Sequence, residues 1–470
     1  MKISQSTSTE PASAAPSPLF SRSSSSTTAS TPVVLAVPPS HTARTLVFCF
    51  VSNSGLGSKY DGPMSNVTEF VKVLGNRDDT NQQMLLFSYS PEYYRSLYHF
   101  WEYPSIVLDK EFAFNLDSDV MAAYQQLMRN YRPGDKISLF GFSRGAYIAR
   151  ALAEMIHKVG LVPKKKASWA SFAYSLYLRD VDDRWHKSFA KLRKKCDPIK
   201  VNIDFVGVWD TVSSVGDVIP RTLPFTRSNT SIRVFRQALA LHERWARLQP
   251  KFSEFDAQND QDRTDVQEVW FAGSHCGTFS TPLSVSFSEW AYFFFTLTTD
   301  VGGCSFPNRT PHHLGRIPLR WMVRECFRAN TGIQFDAEQL RDIGLDPASL
   351  YPIVVERPSP LQPRCYHFNT AARRVPTASE EEHDVRDALS PMHDQLAVFA
   401  PLWWLMEFNP MRRRIPIGPP SEWRWGSAEA VRLNLPRDFK LFAPKDHSRF
   451  YVHPTVYTRM QAKHLREVRL

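Results

Sequence analysis

Two kinds of hydrophobic pattern alternate along the chain. Short runs of consecutive apolar residues are typical of strands buried on both faces, and longer segments with an apolar residue at every third or fourth position are typical of helices. The short runs predict strands at residues 45–50, 83–88, 136–140, 201–209 and 266–272. The longer segments predict helices at residues 115–131, 145–159, 230–247 and 319–330. This alternation predicts an α/β fold with a mostly parallel sheet and helices on both of its faces.

The two ends of the chain differ from its middle. Residues 1–40 are rich in serine, threonine, alanine and proline, which predicts a disordered tail because such a segment buries little apolar surface. Residues 41–375 are expected to form the main domain. Beyond about residue 380 the pattern weakens, and the acidic run at residues 380–382 predicts a loop. Residues 376–470 are expected to form an extension that packs on the main domain.

The overall composition is that of a globular protein, with 43% hydrophobic and 22% charged residues. The six cysteines form no CxxC pair and no zinc-site spacing, and so few cysteines in a chain of this size favour a reducing compartment. No run approaches the ~18 apolar residues of a membrane-spanning helix. The apolar run at residues 33–37 is too short for a signal peptide. We therefore expect an intracellular, cytoplasmic location.

Basic residues outnumber acidic ones, and the formal net charge is +10. No nucleic-acid-binding motif surrounds the basic clusters at residues 164–166 and 191–195, so no nucleic-acid partner is expected. The basic and aromatic segment at residues 165–195 predicts either a cap that contacts substrate or an amphipathic helix with a solvated face. Tryptophans at residues 401–408, followed by arginines at 412–414, predict either peripheral contact with an anionic membrane or a packed segment before a basic turn.

Gly141-Phe-Ser-Arg-Gly145 matches the pattern G-x-S-x-G and lies directly between a predicted strand and a predicted helix. In that context the pattern indicates a nucleophile elbow, a sharp turn that holds a serine at the top of the sheet. We predict that Ser143 is the nucleophile. The backbone N–H of Arg144, at the start of the helix, is predicted to be an oxyanion donor. The alternative is a plain strand-to-helix turn that uses glycine for its geometry.

The serine would need a histidine to accept its proton and a carboxylate to orient that histidine. Asp210 follows one predicted strand and His275 follows another, which predicts that both lie at the carboxyl edge of the sheet. The chain order Ser143, Asp210, His275 matches that of α/β-hydrolases. Asp300 and His453 occur in the same order and are alternatives, so the sequence leaves the choice open.

Taken together, these segments resemble the α/β-hydrolase family that includes the catalytic domain of bacterial type VI secretion phospholipase effectors and has many fungal members. The resemblance covers residues 45–324, roughly 60% of the chain. It implies a hydrolase of lipid or related esters that uses Ser143, Asp210 and His275. The segments that carry the resemblance are residues 141–150, 205–216, 238–244, 268–273 and 319–325.

The sequence departs from the family pattern at three places. The first strand of the family runs into Asp-Gly-Thr, but here it runs into Val51-Ser-Asn-Ser-Gly-Leu-Gly57, which lacks the aspartate. After the second strand the family has a glycine-rich turn, but residues 89–94 contain no glycine. The family motif His-x-Asp-Val-Gly-Gly is split here between His275 and Asp300 by residues 277–299. We interpret residues 277–299 as a translated unspliced intron; the alternative is a lid or loop insertion.

The sequence therefore predicts a serine hydrolase that acts on ester bonds, of lipids or phospholipids in particular. A serine hydrolase mechanism requires no cofactor, so none is expected, although the sequence does not exclude a metal. The alternative is an inactive member of the family that acts as a binding or scaffold protein, or the product of a degraded or mis-predicted gene. The missing Asp-Gly-Thr and the interruption after His275 are the features that separate these readings.

Overall fold

A computed structural model describes residues 34–35, 43–52, 64–75, 81–89, 106–179, 181–211, 229–242, 264–275, 300–303, 310–361, 379–392, 411–414, 423–426 and 451–467. Its strands are β1 (Val34–Leu35), β2 (Thr45–Ser52), β3 (Gln82–Tyr89), β4 (Lys136–Phe142), β5 (Ile203–Trp209), β6 (Ile232–Ala240), β7 (Asp265–Phe271), β8 (Phe335–Asp336), β9 (Met411–Arg414), β10 (Trp423–Gly426) and β11 (Tyr451–Val452). Its α-helices are α1 (Asn66–Val73), α2 (Ile106–Asn130), α3 (Arg144–Val159), α4 (Ala170–Tyr177), α5 (Asp183–Cys196), α6 (Arg316–Arg328), α7 (Ala337–Asp342), α8 (Glu380–Ala388) and α9 (Pro454–Glu467).

Seven of these strands form one sheet in the order β11-β7-β6-β5-β4-β2-β3. Every neighbouring pair in it is parallel. The predicted α/β fold with a mostly parallel sheet is confirmed. The strand order reverses between β2 and β4, and ligands of parallel sheets bind beside such reversals, at the carboxyl ends of the strands.

Helices cover both faces of the sheet because its strands are apolar on both. Along β2, Leu46, Phe48 and Phe50 face a core built with α2, α3, α4 and α5. Val47 and Cys49 alternate with them and face a second core that contains residues of α1 and α6. Alternate side chains of a strand point to opposite faces, so one short apolar run supplies both cores.

The predicted helix at residues 230–247 is wrong: residues 232–240 form β6, between β5 and β7. The segment is rich in alanine, leucine and arginine, which favour helix. Pairing with strands on both sides overrides that preference, and a short apolar run does not by itself distinguish a buried strand from a helix. The strand matters for the site because its last residues lie beside Asp210.

The predicted loop at residues 380–382 is also wrong, because these residues form the first turn of α8. The Ser379 hydroxyl caps that helix by accepting a hydrogen bond from the backbone N–H of Glu382, at 3.3 Å. Three carboxylates in a first turn interact favourably with the positive end of the helix dipole. The acidic run is therefore a helix start.

Several sequence expectations lie outside the described residues. They concern most of the tail at residues 1–40, the segments 53–63 and 90–94, residues 277–299, and residues 401–408. In the part of the chain that the structure describes, no helix has both the length and the apolar character to cross a membrane.

Candidate active site

Ser143 lies in a tight turn between β4 and α3. Its backbone has φ 52° and ψ −115°, in a region that a non-glycine residue adopts only under strain of about 1–3 kcal/mol. The turn is held by a hydrogen bond of 3.1 Å from the Ser143 N–H to the Trp209 carbonyl. A Cβ on Gly141 would lie 2.3 Å from the Gly145 oxygen. The turn can therefore form only with glycine at position 141.

His275 and Asp210 form a hydrogen-bonded chain with this serine. The Ser143 Oγ is 3.0 Å from the His275 Nε2. The His275 Nδ1 is 2.6 Å from the Asp210 Oδ2, and both of these side chains are 1% exposed. An ionised carboxylate only accepts, so the imidazole donates from Nδ1 and its Nε2 can accept the serine proton.

The backbone at the end of β5 and β6 fixes the Asp210 carboxylate. Asp210 follows β5 with φ 45°, and its N–H donates to the Ala238 carbonyl at 2.7 Å. The Ala240 N–H donates to the Asp210 Oδ1 at 3.2 Å. Since His275 engages the other oxygen, the carboxylate is held at both ends. The incorrect helix prediction for residues 230–247 concealed this contact.

A hydrogen-bonded cluster of polar side chains lies next to Asp210. The Thr211 hydroxyl donates to the Gln237 Oε1 at 2.6 Å, and the Arg150 guanidinium donates to the same oxygen at 3.2 Å. The Gln237 amide in turn donates to Glu268 at 3.1 Å. Thr211 and Gln237 are fully buried. This cluster links β5, β6, β7 and α3 by hydrogen bonds, and no sequence pattern had predicted it.

Phe142 and Gly302 support the imidazole from the side. The Phe142 ring centroid lies 5.3 Å from that of His275. A Cβ on Gly302 would lie 2.1 Å from the Phe142 ring, so glycine at 302 gives Phe142 its space. The Gly302 carbonyl accepts a hydrogen bond from the backbone N–H of Asn66. In the sequence, only the consecutive glycines at 302 and 303 hinted that this segment packs closely against the site.

The alternative pair has other neighbours. The Asp300 carboxylate is fully buried and accepts from the Ser274 N–H at 3.2 Å. The His453 ring stacks on Phe271 with centroids 4.9 Å apart, and its Nδ1 is 2.9 Å from the Thr455 hydroxyl. The structure thus brings Asp210 and His275 to Ser143, and it gives Asp300 a place in the turn that carries His275.

Arg144 is the first residue of α3, where backbone N–H groups have no partner within the helix. Its guanidinium donates to the Asp119 carboxylate of α2 at 2.8 Å. This ion pair is largely buried, with 13% and 18% of the two side chains exposed, and it fixes the start of α3 against α2. Among the described residues, no group of three or more histidine, cysteine or acidic side chains could hold a metal ion.

Comparison with known proteins shows which family this chain resembles over most of its described sheet. Residues 44–325 match the family model of the Tle1-like type VI secretion phospholipase effector catalytic domain. An uncharacterized Saccharomyces cerevisiae protein, YEL023C, is 38% identical over 146 residues, which cover 29% of this chain and 21% of the yeast protein.

Two solved structures are also similar. One is a crystal structure of an uncharacterized protein from Pseudomonas aeruginosa, with 14% identity and a TM-score of 0.31, covering 66% of this chain and 49% of that one. The other is a Tle1 effector bound to the VgrG spike of the type VI secretion system, with 15% identity and a TM-score of 0.27, covering 50% of each chain. The chain thus spans about half of either structure and a smaller share of the yeast protein. Since the family model matches more than half of its residues, the chain belongs to the family of the Tle1-like phospholipase effector catalytic domain.

Proposed function

We propose that the protein is a serine hydrolase that cleaves carboxylic ester bonds of phospholipids. The observation that carries this proposal is the continuous hydrogen-bonded chain from the Ser143 Oγ through His275 to the Asp210 carboxylate. A strained elbow holds the serine, and the backbone N–H of Ala240 holds the aspartate. This is the arrangement that acyl transfer by a serine requires.

In the first half of the reaction, the Ser143 Oγ attacks the ester carbonyl carbon while the His275 Nε2 takes the hydroxyl proton. Asp210 stabilises the resulting imidazolium through the Nδ1–H. The oxyanion of the tetrahedral intermediate lies near the start of α3, where the Arg144 N–H is one donor. The intermediate collapses when His275 returns the proton to the departing alcohol, which leaves an acyl group on Ser143.

In the second half, a water molecule takes the place of the alcohol. His275 removes one proton from the water, and the hydroxide adds to the acyl carbon. Collapse of this second intermediate returns the proton to the Ser143 Oγ and releases a carboxylic acid. With a phospholipid as substrate, the two products are a lysophospholipid and a fatty acid.

Family membership supports a phospholipid as the substrate class. The ester chemistry itself is common to many hydrolases, so the geometry of the triad does not select a lipid.

Labelling with a fluorophosphonate probe tests the chemistry. The probe phosphonylates a serine whose proton an adjacent base accepts, with loss of fluoride, so we expect labelling of the full chain and none of Ser143→Ala. Ser138→Ala is a matched control, since this serine lies on β4 but is fully buried. A folded wild-type chain that stays unlabelled would favour an inactive binding or scaffold protein.

Mass spectrometry of reaction products tests the substrate class. Incubation with phosphatidylcholine vesicles should release fatty acid and lysophosphatidylcholine, whereas Ser143→Ala should release neither. Hydrolysis of water-soluble esters without any turnover of phospholipid would retain the serine mechanism and reject the lipid substrate.

A further inference from the structure

The segment between α3 and β5 carries most of the net positive charge of the protein. Residues 164–200 contain eleven lysine or arginine residues and four aspartates. Their formal net charge is +7, out of +10 for the whole chain. The segment folds as a 3-10 turn (Lys164–Trp169) followed by α4 and α5.

One face of this segment is apolar and attached to the main domain. Trp185, Leu192 and Cys196 are the buried residues of α5. The Trp185 indole N–H donates to the Leu176 carbonyl of α4 at 3.0 Å. From α4, the Tyr174 hydroxyl donates to Asp117 at 2.8 Å. Helix α5 therefore has a fixed orientation on the outside of the molecule.

The opposite face is exposed and basic. The exposed basic side chains of the segment are Lys164, Lys165 and Lys166 in the 3-10 turn and Arg184, Lys187, Lys191, Arg193, Lys194 and Lys195 on α5. Charges of one sign at this density repel one another, which destabilises the isolated fold slightly and favours binding to a polyanion.

Two aliphatic side chains are exposed in the turn between α4 and α5. Leu178 is 40% exposed and Val181 is 57% exposed. The turn is anchored from below, where the Lys158 ammonium donates to the Tyr177 carbonyl at 2.9 Å and also to the Arg179 carbonyl. Exposed aliphatic residues at the start of a basic amphipathic helix are a feature of proteins that bind the interface of an anionic bilayer.

We propose that the basic face of residues 164–200 binds the surface of an anionic phospholipid bilayer, with Leu178 and Val181 entering the headgroup region. The lysines neutralise lipid phosphate and carboxylate groups, and the two aliphatic side chains gain by leaving water. A nucleic acid would complement the charge but would provide no apolar layer for Leu178 and Val181. The choice of a bilayer over other polyanions also rests on the proposed phospholipid substrate.

Vesicle sedimentation tests this surface, with the full chain carrying Ser143→Ala so that the lipid is not consumed. We expect strong binding to vesicles of phosphatidylcholine with 30 mol% phosphatidylserine, and weak binding to phosphatidylcholine alone. Neutralising Lys187, Lys194 and Lys195 to Gln together should weaken binding roughly 100-fold, since each basic residue near an anionic surface contributes about fivefold. Binding should also fall as salt rises.

A matched control changes three exposed arginines elsewhere, in the triple variant Arg129→Gln, Arg132→Gln, Arg341→Gln. This control lowers the net charge by the same amount but leaves the basic face intact. It should therefore lose much less binding than the lysine variant. The double variant Leu178→Ser, Val181→Ser should weaken vesicle binding while its affinity for a DNA oligonucleotide stays unchanged. The proposal would be overturned if both triple variants lost vesicle binding equally. It would also be overturned if the protein bound the oligonucleotide tightly while the Leu178 and Val181 substitutions left vesicle binding unchanged.

The outcome is separable from that of the proposed function. In the active chain, the lysine variant should hydrolyse a water-soluble short-chain ester at the wild-type rate but act slowly on anionic vesicles. Vesicle binding by a chain that hydrolyses no ester would reject only the proposed chemistry. Ester hydrolysis by a lysine variant that binds vesicles as the wild type does would reject only the docking surface.

Discussion

At the scale of single residues, the candidate site depends on how tightly each side chain is oriented. The Asp210 carboxylate has one oxygen on the Ala240 N–H and the other on the His275 Nδ1. The side chain is only 1% exposed, so solvent does not compete for either oxygen. The carboxylate therefore determines which tautomer His275 adopts, and with it whether Nε2 can accept a proton from Ser143.

Replacing Asp210 with Asn should reduce kcat on a soluble ester by about 10³–10⁴-fold. An amide can turn its NH₂ group toward His275 and favour the tautomer that cannot accept the serine proton. Steady-state kinetics on the purified variant measure the effect, and KM should change much less than kcat.

The control for that variant is Asp204→Asn on the same strand. Asp204 forms an ion pair of 2.7 Å with the exposed Arg233 and has no contact with the site. We expect nearly wild-type kcat. If Asp210→Asn retained a tenth or more of wild-type kcat, another carboxylate would have to orient the histidine, and Asp300 would be the first to examine.

At the scale of secondary structure elements, helices α6 and α8 are joined by buried ion pairs. The Arg320 guanidinium, 1% exposed, donates to Asp384 and Asp387 at 2.5 Å each. One turn further along α6, Arg324 pairs with Glu380. Arg320 lies within the family match, which ends at residue 325, but its partners lie beyond it. We therefore expect a chain truncated at residue 375 to be unable to fold.

A point substitution measures the strength of this connection. Arg320→Met removes the guanidinium shared by Asp384 and Asp387 and leaves Asp384 only its ion pair with Arg357, so it should reduce the free energy of unfolding by about 3–5 kcal/mol. Arg328→Met is the control on the same helix, because Arg328 is 42% exposed in its pair with Glu325 and such pairs contribute at most about 1 kcal/mol. Urea unfolding compares the two, and similar losses would contradict the argument.

The turn that carries His275 leads to a second prediction at this scale. The Ser274 carbonyl accepts a hydrogen bond of 3.1 Å from the Asp300 N–H. If residues 277–299 were deleted, Asp300 would become the third residue after Ser274, and this contact would be the hydrogen bond of an ordinary β-turn. The family motif His-x-Asp-Val-Gly-Gly would also become continuous.

We therefore expect the variant lacking residues 277–299 to fold and to be labelled at Ser143 by a fluorophosphonate. Circular dichroism and probe labelling, with Ser143→Ala in the same deletion background, measure the two properties. An insoluble or unlabelled deletion variant beside a labelled full chain would mean that the segment is a working part of the enzyme.

At the scale of the whole molecule, buried histidines make stability depend on pH. Burial lowers the pKa of His313 to about 3 and the pKa values of His383 and His453 to about 4. The unfolded chain binds protons at these histidines below about pH 6.5, whereas the folded chain binds them only near pH 4 and below. The free energy of unfolding is therefore expected to be greatest above pH 6.5 and to decrease as the pH falls toward 4.

The buried carboxylates of α8 act in the same direction. Burial alone would raise the pKa of Asp384, but Arg320 and Arg357 outweigh it and lower that pKa. A carboxyl whose pKa is lower in the folded state than in the unfolded chain stabilises the folded state at pH values above its unfolded pKa. This stabilisation is lost as the pH falls through the folded pKa. Acid should therefore lower the free energy of unfolding through the buried histidines and through the carboxylates of α8.

Urea unfolding at a series of pH values tests the histidine contribution. His453→Gln should decrease the slope of the free energy of unfolding between pH 6.5 and 4.5, whatever its effect at pH 7. His186→Gln is the control, because His186 is exposed on α5, and it should leave that slope unchanged. An unchanged slope in His453→Gln would show that this histidine already binds a proton in the folded state.

The sequence by itself determined the features that depend on short stretches of chain. Apolar runs predicted β2, β3, β4, β5 and β7 within a few residues, because a strand buried on both faces needs an uninterrupted run. The elbow at Ser143 was readable because its geometry excludes a side chain at Gly141. Where local preference and tertiary pairing disagreed, as at β6, pattern reasoning failed.

Only the tertiary structure decided which distant residues meet. The sequence favoured Asp210 and His275 but left Asp300 and His453 as alternatives, since chain order carries no distances. The strand order brings the ends of β4, β5 and β7 to one edge, and it gives β6 the position from which Ala240 holds Asp210. The partners of Arg320, some sixty residues away, are likewise set by helix packing, because a buried charge finds its counterion in space and leaves no periodic trace in the chain.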